Sequence, residues 1–302
     1  MKYRLIQGTD LRVSVIGFGG GRLGSFDGGM TPGGWLRLME QAFDAGVNLF
    51  DTASSYTLGL SERLLGRFLQ GRRDEVVVVT KAGYEVHFLW KMVRVFVSKF
   101  PGQGAKGLER WARAREILQV FNPECIRRSV ERSLRRLGTD YVDLLFLHSV
   151  PPEIWHSADT YEVLQRLKEE GKLRYYGFST DKIEALLARG IPPHVSVVGA
   201  VVPSFNVCRN IRLQEVLEEL RTDAIVYHPF GAGTLFRAPE GEIEVMREAV
   251  NKKTERDCRN TSRAQLAIAY LLSYQRVVSV VPRCSSWQHL SDILQALLLL
   301  EA

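Results

Sequence analysis

Polar residues that could carry chemistry stand at the ends of three short, mostly apolar runs in this sequence. Each run has the length and the composition of a buried strand. In a parallel α/β barrel the carboxyl ends of the strands share one face, and that face carries the active site. We therefore expect these polar residues to meet there. The runs are 47–50, which precedes Asp51 and then Tyr56; 76–80, which precedes Lys81; and 143–147, which precedes His148.

The rest of the chain alternates between strand-like runs and segments with the apolar spacing of amphipathic helices. An N-terminal hairpin around Gly8-Thr9-Asp10 is followed by about eight strand–helix units, which predict an α/β fold, a closed (β/α)8 TIM barrel in one domain, 1–302. The other strands are predicted at 13–17, 174–179, 195–202, 224–228 and 277–281. The helices are predicted at 35–45, from Ser61 as N-cap, from Asn122-Pro123-Glu124 to Gly138, and at 159–170, 182–188, 213–221, 263–273 and 287–298.

Residues 19–24 spell GGGRLG, which matches the glycine pattern of dinucleotide-binding folds. In those folds the helix opens within the motif. Here the next helical pattern begins near Gly33, well beyond the motif. The motif is therefore better explained as a loop at the mouth of the barrel.

The segment 84–121 forms an extended, irregular stretch after the third barrel strand, and it is rich in basic and aromatic residues. It is longer than an ordinary strand–helix connection, and such loops are usually either functional or mobile. We expect it to contribute a lid or a wall of the substrate site, with Trp90, Phe96 and Trp111 as shielding side chains.

Composition and charge narrow the function classes. The chain is 45% hydrophobic and 25% charged, as is usual for a soluble enzyme. Part of the net charge of +6 lies in 91–115, which indicates either an anionic substrate or partner or a solvated loop. No nucleic-acid-binding motif is present, and the apolar tail 293–300 is too short to span a membrane. The oligomeric state stays open.

Four scattered cysteines form no C-x-x-C pair, and the N-terminus lacks the apolar core of a signal peptide. We therefore expect no metal site, no disulfide framework and a cytoplasmic location.

Together, the four polar residues suit the reduction of a carbonyl group. A tyrosine is a weak acid at neutral pH, and a nearby ammonium group lowers its pKa. Lys81 can supply that charge, and Asp51 can hold Lys81 in place, so Tyr56 would serve as general acid. His148 can donate a hydrogen bond to the same substrate oxygen. Each side chain taken singly also has a structural explanation. As a set, the four residues could reduce a carbonyl group if a cofactor supplied the hydride.

The sequence resembles the aldo-keto reductase family over nearly its whole length. The resemblance implies a (β/α)8 barrel that binds NADP(H) without a Rossmann domain and reduces aldehydes or ketones by direct hydride transfer. It also implies that Asp51, Tyr56, Lys81 and His148 form the catalytic tetrad. The matching segments are 8–14, 48–53 with Tyr56, Thr80-Lys81, and 133–144 followed by His148.

The resemblance also implies a cofactor site, although several of its polar positions are altered. Thr180 stands where the family usually has an asparagine after the strand serine. Val202 replaces the glutamine that binds the nicotinamide amide, and Ile293 replaces the asparagine that binds adenine. A frequent arginine is replaced by His289. Arg283 would contact the 2′-phosphate of NADPH. The residues implied are Ser179, Thr180, Tyr227, Phe230, Gly231, Gly233, Leu235, Arg283, Ser285, His289 and Asp292.

We consider three hypotheses for the function. The first is an NADPH-dependent carbonyl reductase, or the reverse alcohol dehydrogenase, that acts on a small molecule. The second is a redox-neutral lyase, dehydratase or isomerase that uses Tyr56 and Lys81 for acid–base chemistry; the changes at Thr180, Val202 and Ile293 motivate it. The third is a regulatory subunit, which the intact tetrad disfavours.

Overall fold

A computed structural model describes residues 1–25, 30–86, 117–202, 204 and 212–300, and this part of the chain contains twelve strands. The strands are β1 (Tyr3–Leu5), β2 (Arg12–Ser14), β3 (Phe18–Gly19), β4 (Leu49–Asp51), β5 (Val77–Ala82), β6 (Tyr84–Val86), β7 (Ile117–Gln119), β8 (Val142–Leu147), β9 (Leu173–Thr180), β10 (Val198–Val201), β11 (Ala224–Tyr227) and β12 (Val277–Val281).

The helices alternate with these strands along the chain. The α-helices are α1 (Pro32–Asp44), α2 (Leu60–Phe68), α3 (Pro123–Leu137), α4 (Ala158–Glu169), α5 (Ala185–Arg189), α6 (Leu213–Glu219), α7 (Thr234–Arg237), α8 (Glu240–Thr254), α9 (Arg263–Leu272) and α10 (Trp287–Gln295). Short 3-10 helices span Gly20–Arg22, Tyr56–Gly59, Arg73–Glu75, Pro152–Ile154, Gly231–Gly233 and Ala296–Leu300.

Eight of the strands form one parallel sheet in the order β3, β4, β5, β8, β9, β10, β11, β12. The two edges of this sheet meet beside β3. The Val280 amide donates to the Val15 carbonyl at 2.9 Å, and the Gly17 amide donates to the Val280 carbonyl at 2.9 Å. The predicted (β/α)8 barrel is therefore confirmed.

The N-terminal hairpin, β1 with β2, closes one end of the barrel and leaves the other open. Its buried side chains, among them Ile6 and Leu11, pack with residues from the barrel interior such as Leu49 and Leu144. Arg4 donates to the carbonyl of Tyr274, three residues before β12, and to the carbonyl of Val277, the first residue of β12. Among the described residues, the opposite, carboxyl-terminal end of the strands carries an open cleft, as in other barrels of this type.

Helix starts follow the side chains that cap them. The Asn122 side chain accepts a hydrogen bond from the Cys125 amide, Pro123 follows it, and Gly138 ends α3 in a left-handed conformation, as predicted. Ser61 is a correction: α2 begins at Leu60 after Gly59, and the Ser61 hydroxyl is buried rather than capping.

Other corrections concern boundaries and two helices that were not predicted, α7 and α8. Of the predicted strand 13–17, only residues 13 and 14 lie in a strand, β2, and β3 begins after it at Phe18. The helix predicted at 182–188 is displaced to α5. Helix α8 was not predicted. It buries only Ile243, Met246 and Val250 among its apolar residues, so its apolar stripe is narrow.

The stretch 84–121, predicted to be irregular, begins and ends in an ordered antiparallel pair. Strands β6 and β7 align Tyr84 with Gln119. Residues 87–116 lie outside the described part of the chain, and with them the basic cluster and the aromatic residues predicted to form a lid.

Helices α2 and α3 approach each other closely at Gly66. A β-carbon at this position would lie 2.5 Å from the carbonyl oxygen of Leu137 and 2.8 Å from that of Arg136. Both obstacles are backbone atoms, so a side-chain rotation cannot relieve the contact.

We predict that Gly66→Ala lowers the free energy of unfolding by about 1–3 kcal/mol, the usual effect of overpacking. Gly33→Ala in α1 is the matched control, because a β-carbon there would have no atom within 4 Å. Alanine improves helix propensity at both sites, so the control should be neutral or more stable by up to about 1 kcal/mol. Urea unfolding measures both, and equal stabilities would contradict the packing argument.

Candidate active site

An open cleft of about 630 Å³ lies at the carboxyl ends of the barrel strands. All four residues predicted to be catalytic line it: Asp51, Tyr56, Lys81 and His148. They lie on two strands and in the loops that follow two strands. The structure therefore brings together residues that are up to 97 positions apart in sequence, from Asp51 to His148.

A buried ion pair forms the floor of the cleft. Asp51 ends β4 and Lys81 lies on the neighbouring β5, and they are 3% and 2% exposed. The Lys81 ammonium contacts Asp51 Oδ1 directly and donates to the Thr52 carbonyl at 3.0 Å. The Tyr227 hydroxyl donates to the same Asp51 oxygen at 3.0 Å. The carboxylate is thus held from two sides.

Tyr56 begins the short 3-10 helix that comes after β4. The next two residues, Thr57 and Leu58, have left-handed backbones with φ of 46° and 59°. Thr57 Oγ1 stabilises this turn by donating to the Leu23 carbonyl at 2.8 Å and accepting from the Ser61 amide at 3.0 Å. The turn places the Tyr56 ring beside Lys81, whose Nζ lies 5.1 Å from the ring centroid.

Ser61 fastens the same turn to the barrel. Its buried hydroxyl lies 2.7 Å from the Thr52 hydroxyl and donates to the Gly20 carbonyl at 2.9 Å. Ser61, predicted as a helix cap, therefore links the end of the strand that carries Asp51 to the loop at the barrel mouth by hydrogen bonds.

His148 follows β8 directly, and its amide donates to the Ala82 carbonyl at 2.8 Å. Its ring meets two tyrosines edge-on, with centroids 5.9 Å from Tyr56 and 4.6 Å from Tyr84. The imidazole is therefore held beside the phenol of Tyr56 on one side of the cleft.

Burial and charge set the ionisation of these groups. Burial lowers the pKa of Lys81, but Asp51 and Tyr56 outweigh it and raise the pKa above its ordinary value. Burial raises the pKa of Tyr56, and Lys81 only partly opposes this. The direction predicted for the effect of lysine is thus correct, but the expected net lowering of the phenol pKa is wrong. Tyr56 is held as the protonated phenol at neutral pH.

His148 is held neutral. Burial, with the positive charge of Lys81 as a second cause, lowers its pKa to about 3. A neutral imidazole has one N–H donor and one acceptor nitrogen. It can therefore donate one hydrogen bond to a ligand oxygen without bringing a second positive charge into the cleft.

Six of the residues predicted to bind cofactor line the same cleft, namely Ser179, Tyr227, Phe230, Gly233, Arg283 and Ser285. Ser179 stands near the end of β9, where its hydroxyl accepts from the Ser149 amide at 2.9 Å. Gly233 has φ of +95°, a backbone conformation that suits glycine, in the short helix after β11. Arg283 extends past Gly21, where an added β-carbon would lie 3.1 Å from the arginine Cδ.

The other predicted positions do not line the cleft. Thr180 is buried, and its hydroxyl accepts from the Lys182 amide at 3.0 Å. Asp292 accepts from Ser262 at 3.0 Å and from Gln265 at 2.7 Å, at the capping box of α9. The remaining positions are Gly231 in the short helix after β11, Leu235 in the core, and His289 on the first turn of α10.

The cleft contains two cationic or basic residues that were not predicted. Arg22 comes from the GGGRLG loop, and His228 follows β11 with a left-handed backbone, φ of 58°. Burial and the charge of Arg283 lower the pKa of His228. Asp51 is the only acidic residue among the described lining residues, and Lys81 neutralises it. The cleft is therefore electropositive and suited to phosphates or other anions.

Within the described ranges, no group of His, Cys, Asp and Glu side chains is placed to hold a metal ion. None of the helices in that part of the chain has both the length and the apolar character needed to cross a membrane. The described cysteines Cys125, Cys258 and Cys284 are all unbridged.

Comparison with known proteins gives matches across almost the entire chain. The family model described as "Aldo/keto reductase family" matches residues 15–301. An uncharacterized oxidoreductase, YqkF, of Bacillus subtilis is 26% identical, over 98% of this chain and 91% of the relative. L-galactose dehydrogenase of Arabidopsis thaliana is 27% identical, over 100% and 90%. NADH-specific methylglyoxal reductase of Escherichia coli is 30% identical, over 75% and 67%.

Solved structures show the same fold. The aldo-keto reductase AKR11C1 from Bacillus halodurans, in its holo form, superimposes with a TM-score of 0.73 and 26% sequence identity. The alignment covers 98% of this chain and 91% of that one. The barrel and its hairpin therefore have a close structural counterpart.

We predict that the ring-proton chemical shifts of His148 stay those of neutral imidazole from about pH 8 to about pH 4, since its folded pKa is about 3. In the unfolded chain the same residue protonates near its reference pKa of about 6.5. The unfolded state thus binds more protons below that pH, and His148 reduces stability as the pH falls. H148N should lose less stability between about pH 7 and pH 5 than the parent protein. Titration of His148 near its reference pKa would contradict the assignment.

Proposed function

This chain belongs to the aldo/keto reductase family of oxidoreductases, and we propose that it reduces an aldehyde or ketone to an alcohol, or catalyses the reverse, with NADPH as the cofactor. The observation that carries the proposal is the Asp51–Lys81 ion pair beside the Tyr56 phenol at the open end of the barrel. A fixed ammonium next to a protonated phenol suits general-acid catalysis on a carbonyl oxygen.

The cleft fits a nicotinamide nucleotide. It is electropositive, and its walls present aromatic rings, a serine near the end of β9 and a glycine-rich turn. We assign Ser179 to the nicotinamide amide, Tyr227 to the ring face, Phe230–Leu235 to the pyrophosphate, and Arg283 with Ser285 to the adenosine phosphate. When bound, the dihydronicotinamide supplies the hydride.

Tyr56 supplies the proton. Its raised pKa keeps the phenol protonated until a carbonyl oxygen gains negative charge on reduction. The proton then moves from the Tyr56 hydroxyl to that oxygen, which leaves a phenolate beside the Lys81 ammonium. The C=O double bond becomes a C–O single bond, while the carbon gains a C–H bond and the oxygen gains an O–H bond. The phenolate later regains its proton from solvent. Asp51 holds Lys81 in place throughout.

His148 orients the substrate. Its neutral ring lies edge-on to Tyr56, so an oxygen that accepts a bond from the phenol is also within the region served by the imidazole N–H. Two donors on one carbonyl oxygen polarise it and fix its direction.

Arg283 favours NADPH over NADH, because a guanidinium can make charge-assisted bonds to the extra 2′-phosphate. One relative is named as an NADH-specific reductase, so the preference for NADPH rests on Arg283 and not on membership of the family. Val202 and Ile293 are buried at 1% and 2% exposure and offer no polar group. Each absent hydrogen bond should weaken binding by about 0.5–1.5 kcal/mol.

The substrate is a small carbonyl compound or alcohol, and the electropositive cleft favours one with an anionic group. We assign its recognition to Arg22, which is exposed and lines the cleft. A redox-neutral lyase, dehydratase or isomerase that uses Tyr56 and Lys81 is the second candidate. The apolar, buried side chain of Val202 favours this second candidate, because it cannot make the hydrogen bond to the nicotinamide amide that the family's glutamine would make.

We predict that Tyr56→Phe lowers turnover by at least roughly a hundredfold, the usual contribution of a general acid. The matched control is Tyr141→Phe, which removes a hydroxyl bonded to Asp74 at 3.1 Å, outside the cleft lining. Steady-state oxidation of NADPH with an aldehyde substrate measures turnover, and circular dichroism verifies folding. A folded Tyr56→Phe protein with turnover equal to the control would sink the assignment.

A further inference from the structure

Two adjoining depressions lie along helix α3, one between α3, β6 and the loop that follows β4, and the other between α3 and α2. Their volumes are about 320 and 450 Å³, and both include Arg132 and Arg136 in their walls. We call the combined depression the arginine groove. Its arginines are Arg63 from α2 and Arg128, Arg132, Arg135 and Arg136 from α3.

Only part of this positive charge is neutralised. Arg136 pairs with the buried Glu62, and Arg128 lies 3.6 Å from Glu85 and 3.1 Å from Glu124. The other three arginines, Arg63, Arg132 and Arg135, are exposed and have no ion pair or hydrogen bond with any described residue.

Residues 87–116 lie outside the described part of the chain. By sequence they include seven Lys and Arg residues and two Glu residues, so their net charge is also positive. Guanidinium groups held at the same concave site repel one another. A bound anion removes this repulsion, and we infer that the groove is built for one.

Hydroxyl donors complete the wall on the side of the barrel mouth. Ser54, Ser129 and Tyr84 line the first depression, as does Glu85, whose carboxylate lies 3.6 Å from the Arg128 guanidinium. The Tyr84 oxygen accepts from Gln119 Nε2 at 2.8 Å, so its own proton is available to a ligand. Arginine guanidinium groups and hydroxyl groups commonly donate hydrogen bonds to phosphate oxygens.

We propose that the arginine groove binds a small polyanion with at least two phosphate groups, such as a phosphorylated metabolite. The two depressions share a wall and are each of the size that holds part of a small ligand. The site is distinct from the cleft, because none of the five arginines lines the cleft. The two sites are neighbours, since Ser54 and Leu58 of the groove flank Tyr56 of the cleft.

Inorganic pyrophosphate tests the proposal by titration calorimetry at low ionic strength. The electropositive cleft could itself bind the probe, so every protein carries Arg283→Gln to weaken that competing site. Pyrophosphate should bind this background protein, and inorganic phosphate should bind at least about tenfold more weakly because it can use only one half of the groove.

Adding Arg132→Gln should weaken pyrophosphate binding by about tenfold or more, as expected for the loss of a charge-assisted bond. Adding Arg37→Gln is the matched control: it removes an equal charge from an exposed position on α1, outside the groove. The control should change the affinity by less than about twofold, since distant exposed charges are screened.

Two outcomes would overturn the proposal. One is the absence of pyrophosphate binding at millimolar concentration in the background protein. The other is an equal effect of Arg132→Gln and Arg37→Gln, which would show general attraction to a basic surface. Both arginines are exposed, so the variants should fold, and circular dichroism checks that they do.

Discussion

The ion pair between Asp51 and Lys81 is the interaction on which the rest of the site depends. Both side chains are almost fully buried, so each charge is tolerable only because the other is present. Removing one partner of such a pair costs about 3–5 kcal/mol, because it leaves an uncompensated charge. Tyr227 and the Thr52 carbonyl add the hydrogen bonds that hold the pair in a single arrangement. Lys81 thereby becomes a fixed positive charge against which Tyr56 can lose a proton.

The barrel makes this arrangement available and keeps it at one end. Parallel pairing of β4, β5 and β8 brings the ends of three strands together, and the N-terminal hairpin closes the opposite end. Tyr56 is not on a strand, so a second structural feature must position its ring. The left-handed turn at Thr57 and Leu58, tied down by Ser61, aims its ring back over Lys81.

The fold, and the meeting of Asp51, Tyr56, Lys81 and His148 in one cleft, were predictable from local pattern, because both depend on strand runs and on the polar residues that come after them. The Asn122-Pro123 helix start was predictable for the same reason. Contacts between distant segments were not. The bond from Tyr227 to Asp51 joins residues 176 positions apart, and the buried role of Ser61 depends on Gly20. The net rise in the pKa of Tyr56 also escaped prediction, because burial depends on the folded surroundings of the ring.

Calorimetric titration of the protein with NADPH and with NADH tests the central claim most directly. We expect NADPH to bind with a dissociation constant on the order of micromolar and NADH to bind more weakly. We also expect Arg283→Gln to remove most of the difference, because the guanidinium no longer meets the 2′-phosphate. Failure of both nucleotides to bind at millimolar concentration would contradict the reductase assignment and favour redox-neutral acid–base chemistry in the same cleft.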